Sequence, residues 1–151
     1  MQSAACRARF PSSFVDMADE DSDSPISVTV VGPCAAGKST LVPALRAAGY
    51  EAHQPAQEHS FAPTMWQRFT RPDVLIYLDL SYEQARLRRP HIDGGPERLE
   101  RQHRRLAHAR ARCDFYLDTS DLTPGEVREA VFGFLSTRAP ALRRAARTDS
   151  K

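Results

Sequence analysis

Short apolar runs alternate with helical stretches along this chain of 151 residues. Ile26-Ser27-Val28-Thr29-Val30-Val31 is rich in β-branched side chains and predicts a buried parallel strand. Thr40 to Ala48 reads as a helix that stops at Gly49. A weaker strand is expected near Tyr50–His53, and the clearest one over Asp73–Asp79. Between them, Ala62 to Arg71 predicts a short helix with Phe61, Met65, Trp66 and Phe69 near one face, a stripe that suits sheet packing better than ligand stacking. Ser81 to Arg89 predicts a helix with Ser81 as its N-cap. Pro96 opens another, running to about Arg112 and poor in core residues. Phe115–Asp118 is the fourth strand. Thr123, Pro124 and Glu126 announce a last helix through a near capping box, with Val127, Val131, Phe134 and Leu135 as its buried stripe. Strands that alternate with helices imply an α/β fold: a small parallel sheet of about four strands with helices on both faces.

The ends differ from the middle. Residues 1–25 lack apolar periodicity and carry Asp16, Asp19, Glu20, Asp21 and Asp23, which predicts a disordered acidic arm. Met1 and Met17 both fit as a start. Residues 139–151 form a basic tail with Arg143, Arg144 and Arg147, which leaves residues 26–138 as the domain. The net charge of +2 conceals a block from Arg86 to Arg112 with nine arginines against three acids. Such a block suits phosphate-rich partners, or serves as a solvated helix face. No aromatic side chains interleave with these arginines, so nucleic acid is not the expected partner. Cys6, Cys34 and Cys113 have neither disulfide nor zinc spacing. No apolar run approaches the roughly 18 residues of a membrane span, and no signal-peptide core is present. A cytoplasmic, reducing setting is expected, with no membrane partner.

One stretch carries chemistry. Gly32-Pro33-Cys34-Ala35-Ala36-Gly37-Lys38-Ser39-Thr40 matches G-x-x-x-x-G-K-[ST], between a strand and a helix as that phosphate-cradling loop requires. Lys38 is one of only two lysines beside nineteen arginines. It stands where a compact ammonium must reach the β- and γ-phosphates of a nucleotide. Ser39 is placed to ligate Mg²⁺, and Thr40 to touch the α-phosphate. Cys34 sits beside a helix N-terminus, a position that can lower a thiol pKa, although an inert loop residue is the plainer reading.

Three stretches resemble the small P-loop kinases, the nucleoside monophosphate, shikimate and dephospho-coenzyme A kinase group. They are Gly32–Thr40, Asp73–Asp79 with the arginines up to Pro90, and Cys113 to Pro124. The resemblance covers about residues 26–135. It implies the three-layer P-loop NTPase fold, ATP and Mg²⁺ as ligands, and an unidentified small-molecule phosphoryl acceptor. The N-K-x-D signature of guanine-specific GTPases and the L-S-G-G-Q signature of transporter ATPases are absent. Only Gly49 to Pro72 is available for binding the acceptor, and the lid loop Pro90–Gly95 is short. A nucleotide-binding switch or regulatory ATPase, with the reduced region docking a protein, is the alternative.

The resemblance also places roles. Two acids are candidates beside the phosphates. Glu58 resembles the acid that related kinases direct at the acceptor hydroxyl, and is favoured. Asp79 is a Walker-B-like candidate for the metal by its position at a strand end. Arg86, Arg88 and Arg89 lie within one turn, and one of them is expected on the phosphates, with Arg86 and Arg89 sharing a face. Ser120 and Asp121 fall in the loop that lies near the adenine in that group.

Overall fold

The computed structural model describes residues 24–68, 71–92 and 94–149. The acidic cluster of the expected arm, Asp93 and Lys151 lie outside them. Four strands, β1 (Ser27–Val31), β2 (Glu51–His53), β3 (Val74–Asp79) and β4 (Phe115–Asp118), form one all-parallel sheet in the order β2-β1-β3-β4. The helices are α1 (Lys38–Ala47), α2 (Tyr82–Arg88), α3 (Gly95–Arg105), α4 (Ala107–Arg112) and α5 (Pro124–Asp149).

The period of two in the strands sorts side chains onto two faces. Val28, Val30, Val74, Ile76 and Leu78 pack with Leu41, Val42 and Leu45 of α1 and with Val127, Val131 and Leu135 of α5. Val31, Leu75 and Tyr77 point the other way, onto Trp66, Leu106 and Ala109. Each large apolar side chain so buried contributes about 1.5–3 kcal/mol. This layering is the α/β arrangement that the alternating pattern predicts. At the strand starts, the Asp73 and Asp114 carboxylates accept the Ser27 and Leu75 amides at 2.9 and 2.8 Å, so these two donors are satisfied.

Three segments differ from the sequence expectation. The helix expected over Ala62–Arg71 is, among the described residues, only a 3₁₀ turn at Met65–Gln67. Gln57, fully buried, takes over the helix's bonding role. Its Oε1 accepts the Trp66 amide at 2.8 Å, and its Nε2 donates to Ala62 O at 2.9 Å and Arg105 O at 3.1 Å. The apolar stripe therefore divides, Trp66 inward and Phe61 outward. The helix expected over Pro96–Arg112 breaks at Leu106, whose amide bonds both Gln102 O and His103 O. Its poverty in core residues does not leave it loose. Leu106 and Ala109 are fully buried, and Trp66 Nε1 donates to His108 Nδ1 at 3.1 Å. Finally, α5 passes Arg138 without a break and runs to Asp149, with Ala139 and Leu142 packed against the core. The basic stretch read as a separate tail is continuous with it. The capping box forms as expected: Thr123 N donates to Glu126 Oε1 at 3.0 Å and Glu126 N to Thr123 Oγ1 at 3.1 Å. Among the described residues, no helix is long and apolar enough to cross a membrane.

Candidate functional site

The loop from Gly32 to Gly37 leaves the carboxyl end of β1, the edge where open parallel sheets bind ligands. It turns tightly because Gly32 lies against the neighbouring strand. A Cβ on Gly32 would sit 2.1 Å from Leu78 O, inside any tolerable contact. Gly37 (φ 105°) and Ala35 (φ 71°) hold left-handed backbone, the latter a strain stored where the loop bends. Replacing Gly32 with alanine is expected to destabilise the fold by about 1–3 kcal/mol, because β3 has to move away. A urea midpoint unchanged from wild type would contradict that packing.

These turns leave donors unspent. Ala36 N bonds Pro33 O, and Cys34 N bonds Gln102 Oε1 at 3.0 Å. The amides of Ala35, Gly37, Lys38 and Ser39 have no partner among the described residues. They sit at the start of α1, where the helix dipole favours an anion. Lys38 Nζ donates to Gly32 O, to Pro33 O at 3.0 Å, and to Glu58 Oε2 at 2.8 Å. The pair is nearly enclosed, with side chains 12% and 4% exposed for Lys38 and Glu58. Glu58 arrives on a 3₁₀ turn, Gln57–His59, just after β2.

The cleft over this loop has a volume of about 680 Å³ and is lined by Cys34 to Leu41, Gln54, Glu58, Arg88, Arg89, Thr119, Leu122 and the first turn of α5. Of the sequence candidates, Lys38, Ser39, Thr40, Glu58 and Arg89 meet here, while Gly32 and Pro33 form the loop's base. The Ser39 hydroxyl is exposed, 3.5 Å from Gln54 Oε1. Cys34 Sγ is 3.4 Å from both His59 Nε2 and Gln102 Nε2.

Other candidates stand apart. Asp79 does not line the cleft. Its carboxylate accepts Leu80 N at 2.9 Å and Tyr116 OH at 2.7 Å, and lies 2.8 Å from His103 Nε2. Burial, and then this bond to Asp79, push the Tyr116 phenol up to about 12. Arg86 is exposed and lines a smaller hollow between α2 and α3, which Arg89 also touches. Ser120 is bound to Asp118 (2.6 Å) and accepts the Ser81 amide at 2.8 Å, so Thr119 and Leu122 replace Ser120 and Asp121 in the cleft wall.

Of Arg86, Arg88 and Arg89, it is Arg88 that bonds to the main chain of the loop. Its Nη1 donates to Ala35 O at 2.9 Å and Thr119 Oγ1 at 3.1 Å, and its Nη2 donates to Thr119 O. Thr119 Oγ1 in turn lies 2.9 Å from Ala36 O and 3.0 Å from Asp79 O, stitching β3, β4 and the loop together. Sequence reasoning named Arg88 only within a trio and missed Thr119 and Gln102. No local signal marks them, because each acts across long sequence separations.

The arrangement concentrates free amides, a helix N-terminus, an ammonium and a guanidinium around one carboxylate. It can hold a multiply charged oxyanion and place a proton acceptor beside it. No group of three His, Cys, Asp or Glu side chains able to hold a metal ion occurs among the described residues. No protein-family model matches the chain, and no curated protein matches it in sequence.

Proposed function

We propose that this chain is a phosphotransferase built on a P-loop kinase-like fold, passing the terminal phosphoryl group of ATP to a small-molecule hydroxyl. The observation that carries this reading is the enclosed Lys38–Glu58 pair beside four unspent loop amides. A purely structural turn has no need of an ammonium and a carboxylate with so little exposure, where unneeded charge is costly.

The residues fit the ligands the motif implies. The amides of Ala35, Gly37, Lys38 and Ser39 would hold phosphate oxygens, with Gly32 and Gly37 keeping the backbone close. Mg²⁺ would be held by Ser39 together with phosphate oxygens and water, an arrangement that needs no protein cage, and would neutralise charge when bound. Lys38 offsets the charge on the transferred group. Glu58 accepts the proton of the acceptor hydroxyl as its oxygen bonds to the γ-phosphorus. The bond from that phosphorus to the β–γ bridging oxygen breaks, and ADP leaves with the electron pair. Arg88 keeps its Nη atoms on Ala35 O and Thr119, and so brings a fixed positive charge to the rim, where charge spreads over the phosphoryl oxygens.

Calorimetric titration with Mg²⁺–ATP, followed by a screen of phosphoryl transfer across small alcohols, sugars and nucleosides, tests the reading. Saturable binding and acceptor-dependent ADP formation are expected. Arg88→Ala should slow turnover about 10³-fold or more while weakening ATP affinity far less. No ATP binding, or turnover indifferent to every acceptor, would overturn it.

A further inference from the structure

Glu58 stands on a three-residue 3₁₀ turn just past the edge strand β2, a kind of turn whose own hydrogen bonds are poor. Its neighbour Gln57 is fully buried and supplies what the turn lacks. Gln57 Oε1 accepts the Trp66 amide at 2.8 Å, and its Nε2 donates to Ala62 O at 2.9 Å and to Arg105 O at 3.1 Å. The last of these is a carbonyl at the C-terminal end of α3, where a helix leaves its own acceptors unpaired. Arg105 bonds in the opposite direction, its Nη1 donating to the main-chain O of Glu58 at 3.3 Å. One turn earlier on α3 stands Gln102, 3% exposed. Its Oε1 accepts the Cys34 amide at 3.0 Å, and its Nε2 lies 3.4 Å from Cys34 Sγ. The same stretch of α3 therefore grips both the turn that carries Glu58 and the loop that leads into Lys38.

Buried amides bonded at both ends fix one geometry, where an apolar side chain of the same length only fills space. The grip matters most once nucleotide arrives. In the structure the Glu58 carboxylate is held by Lys38 at 2.8 Å. An ammonium drawn toward phosphate oxygens holds that carboxylate less firmly, and the bonds to α3 stay in place to aim it. We propose that Gln57 and Gln102 are positioning residues for phosphoryl transfer. Acting through α3, they set where the Glu58 carboxylate stands relative to the Gly32–Gly37 loop, and so where it meets the acceptor hydroxyl. Neither glutamine lines the cleft. The role rests on the phosphotransferase reading above.

Methionine has the length of glutamine and no amide, so Gln57→Met and Gln102→Met delete the bonds and keep the bulk. ADP formation from Mg²⁺–ATP is followed in a single turnover with the panel of small alcohols, sugars and nucleosides present, and ATP affinity by calorimetry. Both variants should transfer about tenfold more slowly or worse, with affinity within about threefold of wild type. In a Glu58→Gln background the same substitutions should leave the residual rate unchanged, because the group they aim is gone. A loss by the same factor in both backgrounds would overturn the proposal, since the glutamines then serve the fold alone, and so would variants that transfer like wild type. Should Gln57→Met not fold, Gln102→Met, which takes a partner from a single backbone amide, carries the test alone. Hydrogen exchange with a non-hydrolysable analogue bound reads the geometry without the chemistry. The His59 and Ser60 amides, bonded to Ala56 O and Gln57 O, should exchange several-fold faster in Gln57→Met while Val127–Leu135 keep wild-type rates. Equal acceleration in both segments would mean a general loss of stability and overturn the positioning role. If the wild type forms no ADP with any acceptor, the phosphotransferase reading itself falls and the positioning role falls with it, whatever the exchange rates.

Discussion

Glutamine at position 58 is expected to remove most phosphoryl transfer, about 10²–10⁴-fold, while nucleotide affinity is retained. The substitution is nearly isosteric. Lys38 keeps Gly32 O and Pro33 O as acceptors, so no buried cation is orphaned and the fold survives. What disappears is a carboxylate able to accept a proton beside Lys38 and the Gly32–Gly37 loop. Single-turnover transfer and calorimetric ATP binding, measured on the same preparation, separate the two effects. Wild-type transfer by Glu58→Gln would remove Glu58 from the chemistry. The companion variant Asp79→Asn is expected to behave differently. Asp79 is occupied by Leu80, Tyr116 and His103, so its loss should lower the urea midpoint before it slows transfer.

The second large effect concerns Lys38. Lys38→Ala should abolish measurable nucleotide binding and also destabilise the protein by about 3–5 kcal/mol, because the carboxylate of Glu58 is left buried without a partner. Combining it with Glu58→Gln should recover most of that stability and none of the binding. Urea denaturation of the four proteins in the cycle isolates the pairwise energy. If the losses of the two single variants add up to the loss of the double variant, the pair contributes nothing to the fold and its closeness reflects function alone. The design also guards against a false conclusion, since Lys38→Ala alone loses binding even if it merely unfolds.

The strands were legible because runs such as the β-branched Val28–Val31 and the apolar Val74–Leu78 have few other ways to bury themselves. The turn from Gly32 to Gly37 was legible because its glycines answer backbone demands that appear directly as sequence spacing. Caps were legible for the same local reason: Ser81 accepts the Gln84 amide at 3.3 Å, and Thr123 and Glu126 bond reciprocally. Long-range polar partners were not. Gln57 reaches Arg105, and Gln102 reaches Cys34, across more than forty residues in each case, and nothing local in either glutamine announces it. The choice among Arg86, Arg88 and Arg89 depended on helical register at the last turn of α2, where Arg89 has already left the helix (φ −138°, ψ 73°). Glu58 follows β2 and Asp79 ends β3, and only packing distinguishes them: Lys38 meets the one, while Tyr116 and His103 enclose the other.

The scarcity of lysine has a practical side. Apart from the terminal amine, primary amines occur in this chain only at Lys38 and Lys151. An acyl-phosphate nucleotide probe therefore has one target inside the cleft, and every acylation there is stoichiometrically visible in intact mass. Trypsin otherwise cuts only after arginine, so a blocked Lys38 joins two known peptides into one. That single missed cleavage, and its suppression by free nucleotide, would report occupancy of the loop directly from a crude extract, with no activity assay and no knowledge of the acceptor.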